Sequence, residues 1–149
     1  MPALSQGRPR RRLLRVVLDT NVIVSGLMSE GSVPAQAAAQ VIGGRCEWLV
    51  DSRIVDEYRR VLRRPEFRFN PTSVDYIMFR ATVFATHVLA YPLDLTIPDY
   101  SDRPFLEVAV AGGAEAIVTG NVKDFQAPGG RLDIAIVTPR QFLDLLARR

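Results

Sequence analysis

Apolar residues in this chain alternate between short continuous runs and stretches where they recur every three or four positions. The run "LRVVL" at residues 14–18 reads as a buried strand, and so do "EWLV" at 47–50, "AIV" at 116–118 and residues 132–137. Between them lie helical patterns. Residues 33–42 are Ala-rich, with Ser32 as N-cap, Pro34 in the first turn and Gly43-Gly44 at the end. Residues 53–63 put Ile54, Tyr58, Val61 and Leu62 on one face, with Asp51-Ser52 as the cap before them and Pro65 as the stop. Residues 73–88 repeat the pattern through Val74, Ile77, Met78, Ala81, Ala85 and Val88. Residues 104–111 and 139–146 complete the set, the former closed by Gly112-Gly113.

Strands that alternate with helices predict an α/β fold. We expect one domain, an α/β/α sandwich with a mostly parallel central sheet. No internal repeat and no long linker interrupts it. Residues 1–12 combine Pro, Gly, Ser and Arg and read as a flexible basic tail, leaving residues 13–149 as the folded domain. In sheets of this kind ligands bind beyond the carboxyl ends of the strands, where the strand order reverses. The residues that follow each strand are therefore the ones to inspect.

Those residues are acidic. Asp19 ends the first strand and breaks an otherwise apolar segment, "LRVVLDTNVIV". Glu57 lies on the helix after the second strand and flanks its apolar face, whereas Asp56 points away. Asp102 precedes the helix that begins near Pro104, and Asn121 and Asp124 follow the strand at 116–118. Each has an ordinary structural alternative. Asp19 can form an Asx-turn or a helix cap, and Asp102 can cap the helix after it. Glu57 can pair with Arg53, Arg60 or Arg64, and Asp124 with Lys123. Taken together, they would bring several carboxylates to one sheet edge. Such a group repels itself unless a divalent cation lies between its members, and Mg²⁺ and Mn²⁺ prefer oxygen ligands.

Composition narrows the alternatives. Of the 149 residues 48% are hydrophobic and 23% charged, as in an ordinary globular protein. The single cysteine, Cys46, reads as a small core residue, and no apolar run is long enough to span a bilayer. No signal-peptide core precedes Asp19, so a cytoplasmic location is expected. Net charge is +3, carried almost wholly by arginine, with Lys123 the only lysine. This permits a nucleic-acid partner, although much of the excess lies in the terminal arginines, where it can equally serve solubility. Neither a dinucleotide-binding nor a nucleotide-triphosphate glycine loop is present. The only histidine, His87, falls at the end of the 73–88 helical pattern, which argues against histidine-based catalysis. A dehalogenase-type phosphatase needs a second aspartate where Asn21 stands.

Three segments resemble PIN-domain nucleases. "VVLDTNVIVSGL" looks like that family's first acidic motif, and "SRIVDEYRRVLRRPEF" is similar to its second, which carries Glu57. "DRPFLEVAVAGGAEAIVTGNVKDF" is similar to its third and fourth motifs in one block. The likeness runs from about Arg15 to Leu146 and is closest to small bacterial PIN proteins that act as toxins of toxin–antitoxin pairs. It implies a PIN-like, Rossmann-type fold and a metal-dependent endoribonuclease. In that reading Asp19, Glu57, Asp102 and Asp124 are catalytic and hold Mg²⁺ or Mn²⁺, and Thr20, Asn21, Thr119 and Asn121 support them. Arg53, Arg103 and Lys123 would contact substrate phosphates. The partners implied are RNA, an antitoxin and a second copy of the chain, with no membrane. The sequence departs from the pattern at Asn121, where many members carry Asp. The rival expectation is a catalytically weakened module that binds RNA or a protein partner.

Overall fold

The computed structural model describes residues 12–94, 100–125 and 133–149. The basic tail at residues 1–12, apart from Arg12, and the start of the strand expected at 132–137 lie outside them. Five parallel strands form one sheet in the order β3-β2-β1-β4-β5. They are β1 (Arg15–Leu18), β2 (Glu47–Val50), β3 (Thr86–His87), β4 (Ala116–Val118) and β5 (Ala135–Val137). β1, β2 and β4 are apolar throughout, apart from Arg15 and Glu47 at their starts, because both of their faces are covered. Val16, Val17, Leu18, Leu49, Val50, Ile117 and Val118 are all fully buried.

The helices are α1 (Thr20–Met28), α2 (Val33–Ile42), α3 (Ser52–Leu62), α4 (Pro71–Val83), α5 (Arg103–Gly112) and α6 (Pro139–Ala147). From β1 the chain steps outward to β2 and β3, then returns to β4 through α5, which packs on β1, β2 and β4. Right-handed connections place helices of opposite travel on opposite faces, which gives the sheet its two helical layers. Several caps fall where the sequence puts them. Ser32 Oγ accepts from the Ala35 N–H at 3.3 Å, and Asp51 Oδ1 accepts from the Ile54 N–H at 3.0 Å. Cys46 is buried, as expected of a core residue, and burial pushes its thiol up to about 11.

One element differs from expectation, and another is not foreseen by the strand and helix patterns. α4 ends at Val83, and Thr86–His87 forms the edge strand β3, paired to Leu49 and Val50. Ala85 and Val88 fall in helical phase with Val74 to Ala81, so periodicity alone extends the helix through them. His87 thus lies on a strand, not at a helix end. α1 begins directly at Thr20, although its Val22, Ile23 and Val24 read as strand formers. A close approach holds it in place, since a Cβ at Gly26 would stand 2.9 Å from Ala35 Cα.

Candidate active site

The strand order reverses between β1 and β4, and the residues that follow these two strands are joined across that point. The Asp19 N–H donates to the Val118 carbonyl at 2.9 Å, and Thr119 Oγ1 donates to Asp19 Oδ2 at 2.7 Å. Thr119 is fully buried and Asp19 is only 6% exposed. Loss of hydration pushes the Asp19 carboxyl up to about 6. The Thr119 hydroxyl and the backbone N–H groups of Thr20 and Asn21 oppose this rise, while the nearby Glu57 carboxylate adds to it.

Glu57 reaches this position from α3. Tyr58, its neighbour, is fully buried, and its hydroxyl donates to the Leu18 carbonyl at 2.6 Å while accepting from Trp48 Nε1 at 3.2 Å. That bond ties α3 to the last residue of β1, and Glu57 accepts a hydrogen bond from the Thr20 hydroxyl one residue past Asp19. Thr20, a support residue in the PIN-like reading, contacts both acids, its backbone N–H reaching Asp19 and its hydroxyl serving Glu57. Asn21 Oδ1 accepts from the Gly120 N–H at 3.1 Å, and the Asn121 N–H donates to Thr119 Oγ1 at 3.0 Å. The support residues thus stitch the loop after β4 to the start of α1.

Asp102 and Asp124 come to the same edge of the sheet. They stand on one-turn 3-10 segments, Tyr100–Asp102 and Val122–Phe125. Among the described residues, no three His, Cys, Asp or Glu side chains lie close enough together to hold one ion. The four-acid cluster expected from sequence is therefore represented by the close pair Asp19–Glu57, with the other two acids nearby in topology. Asp102 is the N-cap of α5 but makes no capping hydrogen bond through its side chain.

The cations also differ from expectation. Arg53 does not pair with Glu57. Its Nε donates to Asp51 Oδ2 at 2.8 Å and its Nη1 to Glu107 Oε1 at 2.7 Å. Arg103 donates to the Leu93 carbonyl, stands 3.6 Å from Glu107 and lies over the Tyr100 ring. Lys123 is exposed on the turn that carries Asp124. The hub of this network, Glu107, was assigned no role from sequence. It is 5% exposed on α5 and also accepts from the Leu93 N–H at 3.0 Å. Burial pushes its carboxyl up, but Arg53, the Leu93 amide and Arg103 together hold it below its ordinary value. An acid on the apolar face of α5, three residues after Pro104, was the available signal.

An open α/β sheet with a buried aspartate and a half-buried glutamate at its switch point presents acids at the edge where such folds bind ligands. A family model described as PIN domain matches residues 15–123, and the chain belongs to that family. PIN domains are typically nucleases, hydrolases that generally use divalent metal ions. A search among curated proteins returned no match. Among the described residues no helix is long and apolar enough to cross a membrane.

The donor set suits the ion that the family implies. Asp19 and Glu57 offer hard carboxylate oxygens side by side, and Thr20 and Thr119 offer hydroxyls. Among the described residues, the groups that act on Asp19 include no cationic side chain. A divalent ion would supply the missing counter-charge.

Proposed function

We propose that the protein is an Mg²⁺- or Mn²⁺-dependent endoribonuclease centred on Asp19 and Glu57. The observation that carries this reading is the pair itself, a desolvated aspartate and a glutamate on neighbouring elements at the switch point. When bound, such an ion lowers the pKa of water towards neutrality and polarises a phosphoryl oxygen. The chain's own residues do the positioning. Thr119 holds one Asp19 oxygen and leaves the other for the ion, while Thr20 orients Glu57. Asp102 and Asp124, on their short turns, are the remaining candidates for ligation and for accepting a proton from the attacking water. Lys123, exposed next to Asp124, would contact a substrate phosphate.

We extend the reading to the toxin of a type II toxin–antitoxin pair acting in the cytoplasm, with an antitoxin partner. The likeness of the three motif segments to that branch supports it. A homodimer is part of the same reading. Tyr76, Phe79 and Val83 are exposed at i, i+3 and i+7 on α4 and give an apolar face that a second copy would cover.

A second reading is favoured by Asn121, which is exposed and uncharged where the family pattern carries an acid. In it the chain binds RNA or a protein with little or no cleavage. One experiment separates the two. Purified protein is incubated with RNA and Mn²⁺, alongside an EDTA control and Asp19→Asn. The nuclease reading expects cleavage that both controls abolish. No cleavage in Mn²⁺ with retained RNA binding gives the second reading. Cleavage that persists in both controls overturns the assignment of the site.

A further inference from the structure

Beyond the carboxyl ends of β2 and β3, on the same edge of the sheet as the acid pair, lies a cavity of about 330 Å³. Its lining includes Asp51, Arg53, His87, Tyr91, Pro92 and Glu107. The volume falls at the small end of the roughly 300–1,000 Å³ range of ligand sites. We propose that this cavity is a subsite for one unpaired RNA base, with the Tyr91 ring and the flat face of the Arg53 guanidinium as its stacking surfaces. The choice of ligand rests on the nuclease reading above.

Placement is the first argument. Arg53 and Glu57 stand at i and i+4 on α3, so their Cβ atoms lie about 5–6 Å apart on one face of the helix. A strand whose phosphate sits at the acid pair therefore has its neighbouring nucleotide beside the cavity.

Charge is the second. Arg53 directs both edges of its fork at carboxylates, with Nε and Nη2 to Asp51 and Nη1 to Glu107. Its charge is met by two acids, so the wall has little to offer a phosphate. What remains open is the planar face, and arginine faces stack on bases. This revises the expectation that Arg53 contacts phosphate.

Rigidity is the third. Glu107 fixes Arg53 from one side and the Leu93 amide from the other, so α3 and the segment carrying Tyr91 and Pro92 share one anchor. Tyr91 itself is 65% exposed, a large aromatic surface presented to solvent at the mouth of the cavity. A base stacked within a duplex cannot enter such a slot, whereas a base in a single strand can.

The test is binding, measured in EDTA by fluorescence anisotropy on the full chain. The probes are labelled oligo-adenylate, an abasic strand of equal length and a duplex. The expected result is a preference for oligo-adenylate over both other probes. Tyr91→Ala should weaken oligo-adenylate binding about five- to tenfold and leave the abasic strand unchanged, while Tyr91→Phe binds like the wild type. Equal binding of base-bearing and abasic strands, or wild-type affinity in Tyr91→Ala, overturns the subsite. The Mn²⁺ cleavage assay is read separately. Cleavage with Tyr91-independent binding removes the subsite alone. Tyr91-dependent base binding without cleavage supports the subsite and removes the hydrolase.

Discussion

The Tyr58 hydroxyl donates to the Leu18 carbonyl at 2.6 Å, and through this one bond α3 is locked to the strand end that carries Asp19. Glu57 owes its place beside Asp19 to its neighbour. A polar group inside the core is retained here because it sets the register of a helix against a strand.

Tyr58→Phe keeps the ring but removes the donor, leaving the Leu18 carbonyl and Trp48 Nε1 without their partner in the interior. We expect a loss of about 1–3 kcal/mol, read as a lower urea midpoint. Mn²⁺-dependent activity should fall as well, because Glu57 is no longer held in register. An unchanged midpoint would contradict the role given to this hydroxyl.

Asp19 sets a pH dependence whose sign is opposite to that of most carboxylates. Its carboxyl titrates near 6 in the folded chain against an ordinary 3.8. Between these values the folded state binds more protons than the unfolded one, so stability falls as pH rises from about 4 to 6 and then levels off. The difference corresponds to something on the order of 3 kcal/mol at pH 7. Asp19→Asn in EDTA should therefore melt several degrees above the wild type at pH 7, with the gap closing towards pH 4. Mn²⁺ should raise the melting temperature of the wild type at pH 7 and leave Asp19→Asn unmoved.

Glu107→Ala removes the common partner of Arg53, Arg103 and the Leu93 amide. A destabilisation of about 2–3 kcal/mol is expected, as for hydrogen bonds to a charged group. Because the folded carboxyl is held below its ordinary 4.5, its contribution is present above that value and is lost as pH falls through the lower, folded one. Hydrogen exchange gives the local readout, since the Leu93 amide should exchange markedly faster in the variant at neutral pH.

Gly26→Ala places a methyl carbon 2.9 Å from Ala35 Cα, a backbone atom that cannot rotate away. The expected cost is about 1–3 kcal/mol of overpacking between α1 and α2. A thermal melt measures it, and a wild-type melting temperature would mean that the two helices separate more easily than their packing suggests.

The site was only partly legible in the sequence. Asp19 stood out because an acid interrupts an apolar strand, and Glu57 because helical phase set it beside the packed face. Nothing in one dimension distinguishes Arg53 held by Glu107 from Arg53 free for phosphate, because that pairing spans 54 positions along the chain. Glu107 went unassigned for the same reason, since its partners come from α3 and from the segment after β3.

The strands β1, β2 and β4, five of the six helices and the caps at Ser32 and Asp51 follow from the sequence alone. Period, capping side chains and glycine stops are local properties, expressed within a few residues. Tertiary structure alone decided the edge strand β3, which exists because β2 offers it a ladder, and α1, held by contact with α2 against the preference of its β-branched residues. It alone decided that Asp19 and Glu57 close into a pair. Distances between side chains that are remote in sequence depend on how whole elements pack, and no local pattern encodes them.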